Sequence, residues 1–260
     1  MAAQQNFIAE GHSVPAGHGW TWIADGWRLF RRQPGLWIAM AASLAVIFGG
    51  LLFVVRSFFL NALLSSVLFP LFVAGVVIGC HALHEGNQLK FGHLFAGFKH
   101  RTLALIGFGL LYFATTMVSE ALGGGLGQVL SAARSAGEME RSQALATLLL
   151  PKLIALALTL PVVMAVWFAP PLLIFHQMSA FQAARASFYG CLKNVLPFLI
   201  YGIIILGFAV IPAILFGLSL ILGASALTMA PLILLLATCL VLGPVIGASI
   251  YTSYRDIYFT

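Results

Sequence analysis

Six apolar runs, each near the length needed to cross a bilayer, constrain this chain more than any other feature. They lie at about 36–55, 58–80, 103–118, 153–175, 195–222 and 231–251. About 20 apolar residues in a helix span the hydrocarbon core. A backbone in lipid must pair its own polar groups, and a helix does so within itself. The expected fold class is therefore all-α, a polytopic transmembrane helical bundle of six spans. Pro70, Pro161, Pro170, Pro171, Pro197, Pro212 and Pro244 fall in or at the ends of these runs. Membrane helices tolerate such prolines where neighbouring helices satisfy the carbonyls they free.

Composition agrees with the runs. Of 260 residues, 61% are apolar and 8% charged, against about half and about a quarter in soluble domains. So few charges cannot cover so much apolar surface in water. This argues against a soluble enzyme, a disordered chain and a nucleic-acid-binding domain. The net charge of +6 comes from 13 Lys+Arg against 7 Asp+Glu, and no basic run exceeds Arg31-Arg32. A nucleic-acid partner would need a dense basic face, so none is expected. Cys80, Cys191 and Cys239 are too few and too apolar in context for a disulfide framework. The first 35 residues lack the short apolar core and small-residue cleavage site of a signal peptide. The first apolar run is expected to stay as an anchor.

The scarce charges predict orientation. Arg28, Arg31, Arg32, Lys90, Lys99, Arg101, Arg185, Lys193 and Arg255 fall on the N-terminal side of the six runs. Arg56, Arg134, Arg141 and Lys152 fall on the other. The positive-inside rule places the first set, and both termini, in the cytoplasm. The domain reading is a flexible cytoplasmic tail over 1–19 and one integral membrane domain over 20–260. The uncharged stretch 223–230 is expected to form a short outer turn.

Each segment before an odd-numbered span is amphipathic with helical spacing. In the first, Trp20, Ile23, Ala24, Trp27 and Phe30 share a face opposite Asp25, Arg28 and Arg32. In the second, Phe91, Leu94, Phe95 and Phe98 recur at i, i+3, i+4 and i+7. In the third, Met178, Phe181, Ala184, Phe188 and Leu192 oppose Gln182, Arg185 and Lys193, and Ser179 with Gln182 fits a capping box. Such segments read as three cytoplasmic helices lying in the interface, aromatics buried and basic groups near headgroups. The bland alternative is a re-entry connector packed on the bundle. The unit of interface helix, outward span and inward span recurs three times, which fits a threefold repeat of helical hairpins. All units would run in the same direction about an axis along the membrane normal. Alternatively, every in–out–in hairpin shares such a pattern.

Other signals are thinner. Cys80, His81, His84, Glu85, His93 and His100 cluster in sequence, and His81 and His84 share a helix face. With Glu85 they are weak metal candidates, set against histidines that simply sit at the interface. No Asp, Glu, Lys, Arg or His lies near the middle of a span, which argues against ion-coupled transport. Ser43, Asn61, Ser65, Ser66, Thr115, Thr116, Thr159 and Thr238 are expected to bond between helices. Gly75 with Gly79, Gly107 with Gly109, and Gly243 with Gly247 are expected to allow close helix packing. Gly123-Gly124-Gly125-Leu126-Gly127 lacks the ending of a phosphate-binding loop and reads as a hinge before a surface helix. Glu120 reads as a boundary residue. No catalytic constellation or cofactor motif is found, and no enzyme or cofactor is expected.

The opening Gly17-His18-Gly19-Trp20-Thr21-Trp22-Ile23-Ala24-Asp25-Gly26-Trp27-Arg28-Leu29-Phe30-Arg31-Arg32-Gln33-Pro34 resembles the start of an uncharacterised family of proteobacterial six-span inner-membrane proteins. Gly92 to Phe98, Ala186-Ser187-Phe188, Cys191 to Asn194, Leu196-Pro197-Phe198 and Ala248 to Ile257 are similar to that family too. The resemblance covers most of the chain apart from the outer loop. It implies a multi-pass protein of the bacterial inner membrane and no activity. A more distant likeness is to the membrane domain ahead of some glycerophosphodiester phosphodiesterases, without their catalytic domain.

The functional expectation is an accessory or assembly protein that binds anionic headgroups of membrane lipids, or a membrane-protein partner. Trp20, Trp27, Phe30, Arg31, Arg32, Phe95, Phe98, Lys99, Phe188 and Lys193 would carry the binding. The alternative is a passive channel or carrier for a small, weakly charged solute.

Overall fold

A computed structural model describes residues 6–135, 144–221 and 225–260, and side chains outside 129–148 and 222–228. Within them the chain is helical from His18 to Tyr258 apart from short connections. The first unit is α1 (His18–Arg32), α2 (Pro34–Val54) and α3 (Phe58–His84). The second is a 3₁₀ helix, η1 (Phe91–Phe98), then α4 (Thr102–Ser135), α5 (Ala144–Trp167) and α6 (Ala169–His176). The third is α7 (Ala180–Lys193), α8 (Val195–Ile221) and α9 (Ser225–Tyr258). Six stretches are long and apolar enough to cross a membrane: Pro34–Val54, Phe58–His84, Thr102–Gln128, Leu149–His176, Val195–Ile221 and Met229–Tyr258.

The three units connect in a ring. Each short element between spans docks on the second span of the unit before it: η1 on α3, α7 on α5, and α1 on α9. The corner residue ending each short element also pins the lead-in to the next one. Gln33 Oε1 accepts from the Leu89 amide at 2.8 Å, ahead of η1. The Arg101 guanidinium donates to the Gln177 carbonyl at 2.7 Å, ahead of α7. Asn194 Oδ1 accepts from the Val14 amide at 2.8 Å, ahead of α1. The order is the threefold pattern that the sequence suggests, closed through the chain ends.

Small residues make the docking close. A Cβ on Gly97 would stand 2.0 Å from the Leu71 carbonyl oxygen, and one on Gly75 would stand 2.4 Å from that of Leu94. At Gly26 it would meet Ser249 Oγ at 2.7 Å, and at Gly190 the Tyr258 hydroxyl at 2.3 Å. Helices in lipid associate by such packing, because lipid tails supply no hydrophobic drive between helices. Of the expected glycine pairs, Gly75 with Gly79, Gly109 and Gly247 do pack this way, while Gly107 and Gly243 face open space.

One helix is broken by a neighbour. The Phe168 amide donates to Ser187 Oγ at 2.9 Å, and that hydroxyl donates to the Met164 carbonyl at 2.6 Å. An uninterrupted helix would join that amide and carbonyl directly. The inserted hydroxyl, with Pro170 and Pro171 following, separates α5 from α6.

Several local expectations change. The second amphipathic segment is a 3₁₀ helix, not an α-helix. Three residues per turn align Leu94 with Gly97 against α3, and Phe95 with Phe98 beside Phe72, at 5.9 and 5.3 Å between ring centroids. The glycine run at 123–127 is no hinge: it lies inside α4, which continues to Ser135. In lipid the helix is the conformation that pairs every backbone group, and this tolerates glycine. Ser43, Thr115, Thr116 and Thr238 bond carbonyls four residues back in their own helices. Among the expected polar residues, Thr159 does reach another helix, at Ser119, 3.1 Å away. The expected surface segment with Glu138, Glu140 and Arg141, and part of the turn at 223–230, lie outside the described residues.

The packed core sits at the end of the bundle that carries the termini. Its buried side chains include Trp22, Trp37, Met40, Leu71, Phe72, Val77, Leu94, Leu105, Phe168, Leu172, Tyr251, Tyr254 and Tyr258. Toward the other end the helices present large apolar side chains outward, with Phe53 85% and Ile221 81% exposed. Lipid covers such surface in a bilayer.

Replacing Gly97 with Ala forces Leu71 and the η1 backbone apart. Overpacking of this kind costs about 1–3 kcal/mol, so the melting temperature in detergent should fall by roughly 2–10 °C. Gly107→Ala, with nothing within 4 Å, should leave it unchanged.

Candidate functional site

The charged end of the bundle collects the functional candidates. Three outward faces come from α1, η1 and α7. On α1 the face toward the protein is Gly19, Trp22, Ile23, Gly26, Leu29 and Phe30. Trp20 and Trp27 point outward, 53% and 42% exposed, beside exposed Arg28 and Arg31. On α7 the inward face is Ala183, Ala186, Ser187, Gly190 and Cys191. Phe181 and Leu192 are exposed on the other side, and Phe188 is half-buried. The Ser179–Gln182 capping box that starts α7 is present in both directions. On η1, Phe91, Phe95, Phe98 and Lys99 are exposed. Burial, and then the charge of Lys90, hold the His93 imidazole below its ordinary pKa. It therefore serves in its neutral form, accepting from the Lys90 amide at 3.2 Å.

Several of the residues expected to bind lipid have partners within the chain. Phe30 is buried and stacks on Trp27 with centroids 5.2 Å apart. Arg32 donates to the Leu83 carbonyl near the end of α3. Lys193 Nζ donates to the carbonyls of Gly11 at 3.0 Å and Glu10 at 3.3 Å. Phe188 lies edge-on to Tyr189. Trp20, Trp27, Arg31, Phe95, Phe98 and Lys99 are on the outer surface.

The stretch ahead of α1, expected from sequence to be a tail, lies along the chain's own C-terminus. The Ile8 amide donates to the Tyr258 carbonyl and the His12 amide to the Ile257 carbonyl, each at 2.9 Å. Phe7 stacks on His176 at 3.5 Å. Asn194 completes the clasp, since its Nδ2 donates to the carbonyls of His12 and Gly190 at 2.9 and 2.8 Å. Asp256 fixes α1 to α9, its Oδ2 accepting from Trp22 Nε1 at 2.7 Å and meeting His18 Nδ1 at 2.8 Å. Neither Trp22 nor Asn194 stands out in sequence as a site residue.

At the centre, one side chain from each inward span closes the bundle. His81 of α3, Phe175 of α6 and Tyr251 of α9 meet with centroids 4.7, 6.2 and 6.5 Å apart. His81 Nδ1 lies 3.1 Å from the Tyr251 hydroxyl, and His176 Nε2 hydrogen-bonds the Tyr254 hydroxyl. The weak metal set of His81, His84 and Glu85 is not drawn together: His81 is engaged by Tyr251, and His84 and Glu85 are exposed. Among the described residues no three His, Cys, Asp or Glu side chains gather as metal ligands. Burial pushes the Cys191 thiol well above its ordinary pKa, which keeps it a protonated packing residue rather than a nucleophile.

Six spanning helices, inward-facing small residues and outward aromatics at one end define a multi-pass α-helical membrane protein. Over 257 residues the chain is 29% identical to a probable inner membrane protein of Burkholderia thailandensis. The similarity covers 94% of this chain and 92% of that protein, in keeping with the resemblance drawn from sequence. No family model matches the chain, and no solved structure matches it.

Removing the Asn194 amide strands buried backbone groups, at about 1–3 kcal/mol for each left unpaired. Asn194→Ala should therefore release residues 6–14. Hydrogen exchange would register this as lost protection of the Val14, His12 and Ile8 amides, with the spans unaffected.

Proposed function

We propose that this chain is an inner-membrane protein with both termini in the cytoplasm. It acts without catalysis, as an accessory or assembly protein that holds anionic lipid, or a membrane partner, against an aromatic–basic collar. The observation that carries this reading is the outward placement of Trp20, Trp27, Phe91, Phe95, Phe98 and Phe181 on all three short elements. Arg31 and Lys99 stand beside them. Amphipathic aromatic and basic side chains at a span end prefer headgroup depth. The similarity to an inner membrane protein of Burkholderia thailandensis supports the location. Nine of the 13 Lys+Arg at the terminal end support the orientation. The packed centre, where Ala74, Val77, Cys80, Leu172 and Ala248 are fully buried, favours this reading over a passive channel or carrier.

The collar is tested in bilayers of phosphatidylcholine with phosphatidylglycerol, by spin-label measurement of which lipid is held at the protein. A basic residue near an anionic surface contributes ~1 kcal/mol. Reversing both charges in Arg31→Glu with Lys99→Glu should lower the preference for phosphatidylglycerol roughly tenfold or more. An unchanged preference sinks the proposal.

Orientation is tested in intact cells with a membrane-impermeant thiol reagent. A cysteine placed at Arg56 should be labelled from outside, and one placed at Lys99 should not. The reverse pattern would invert the topology.

A further inference from the structure

The strongest feature that the collar leaves unused is a convergence of basic side chains over the closed centre, at its charged end. Arg32 arrives from the end of α1, His81 and His84 from the end of α3, and Arg255 from α9. They are far apart in sequence. Arg32 is anchored by its bond to the Leu83 carbonyl, and Arg255 lies one helical turn beyond Tyr251 on α9, its guanidinium 5.7 Å from the centre of the Phe259 ring. The Tyr251 hydroxyl in turn meets His81 Nδ1. The His84 ring lies 6.1 Å from that of Tyr251, and His84 is within electrostatic reach of Arg255, Arg32, His81 and Glu85.

Two arginine cations thus act electrostatically on the His84 imidazole beside His81, with Glu85 the acid acting on it. Like charges held together favour a bound anion over the empty arrangement. Arginine forks match phosphate oxygens in pairs, and an imidazole N–H adds a donor. The place is right as well. All four residues sit where spans end, and basic pockets between membrane helices are suited to phosphate headgroups. His84 and Arg32 are exposed, so the site is reachable from the headgroup side.

We propose that Arg32, His81, His84 and Arg255 form a binding site for one phosphate group. It is carried either by an anionic phospholipid headgroup or by free phosphate. The site is separate from the collar and shares Arg32 alone with the residues expected from sequence to bind lipid.

The test uses the purified full chain in nonionic detergent, followed by thermal unfolding. One arm adds inorganic phosphate against chloride at equal ionic strength. The other adds short-chain phosphatidylglycerol against short-chain phosphatidylcholine. The wild type should be stabilised in at least one arm, with saturation at one site. Stabilisation by both probes assigns free phosphate as sufficient; stabilisation by phosphatidylglycerol alone assigns the lipid headgroup. Arg255→Gln and His84→Gln should each weaken the apparent affinity about tenfold or more. His84→Gln is the safer variant for folding because the side chain is exposed. Arg31→Glu with Lys99→Glu should leave the effect intact while altering the lipid preference of the collar, so the two proposals fail separately. No stabilisation in either arm overturns the site. So does stabilisation that persists in both site variants.

Discussion

The whole arrangement depends on pairing backbone polar groups where the chain turns back into the membrane. A span satisfies its own amides and carbonyls, but a corner does not, and near lipid an unpaired group is expensive. Here each corner is closed by a side chain from another unit: Gln33 for Leu89, Arg101 for Gln177, and Asn194 for Val14. Because each corner secures the next short element, the three hairpins are ordered as a ring rather than as a row. Ser187 carries the same logic inside a span, standing between the Phe168 amide and the Met164 carbonyl.

That ring explains why the core lies at one end. The short elements, the corners and both chain ends gather there, and small residues let them approach backbone to backbone. The opposite halves of the helices have no such elements between them, so their side chains meet lipid. The same division separates two chemistries at the charged end. Aromatic and basic groups that turn outward are free to meet headgroups. Trp22, Asp256, Asn194 and Lys193 turn inward and hold the ring closed.

Much of this was legible in the residues. The six runs, their helical class and the capping box at Ser179 follow from local physics, since spanning length and capping are properties of neighbouring residues. The short elements were legible as amphipathic, but not which face would be inward. The large-residue face of α7 is exposed, and the small-residue face is buried. Hydrophobicity is a poor guide there because both faces have apolar surroundings, lipid on one side and protein on the other. Phe30, Arg32 and Lys193 share that ambiguity. Their partners are the Trp27 ring, the Leu83 carbonyl, and the carbonyls of Glu10 and Gly11. The last two sets lie far along the chain, where no helical periodicity could point to them.

By itself, the sequence determined that this is a helical membrane protein and where its six spans lie, although the third runs on to Gln128 rather than 118 and the sixth to Tyr258 rather than 251. Length and hydrophobicity suffice for that, because lipid demands internally paired backbone. Only the tertiary structure decided that the chain ends clasp each other, that η1 winds as a 3₁₀ helix, and that basic side chains from α1, α3 and α9 converge. Those features arise from contacts between residues far apart in sequence, and no local pattern encodes which distant backbone will lie across a glycine.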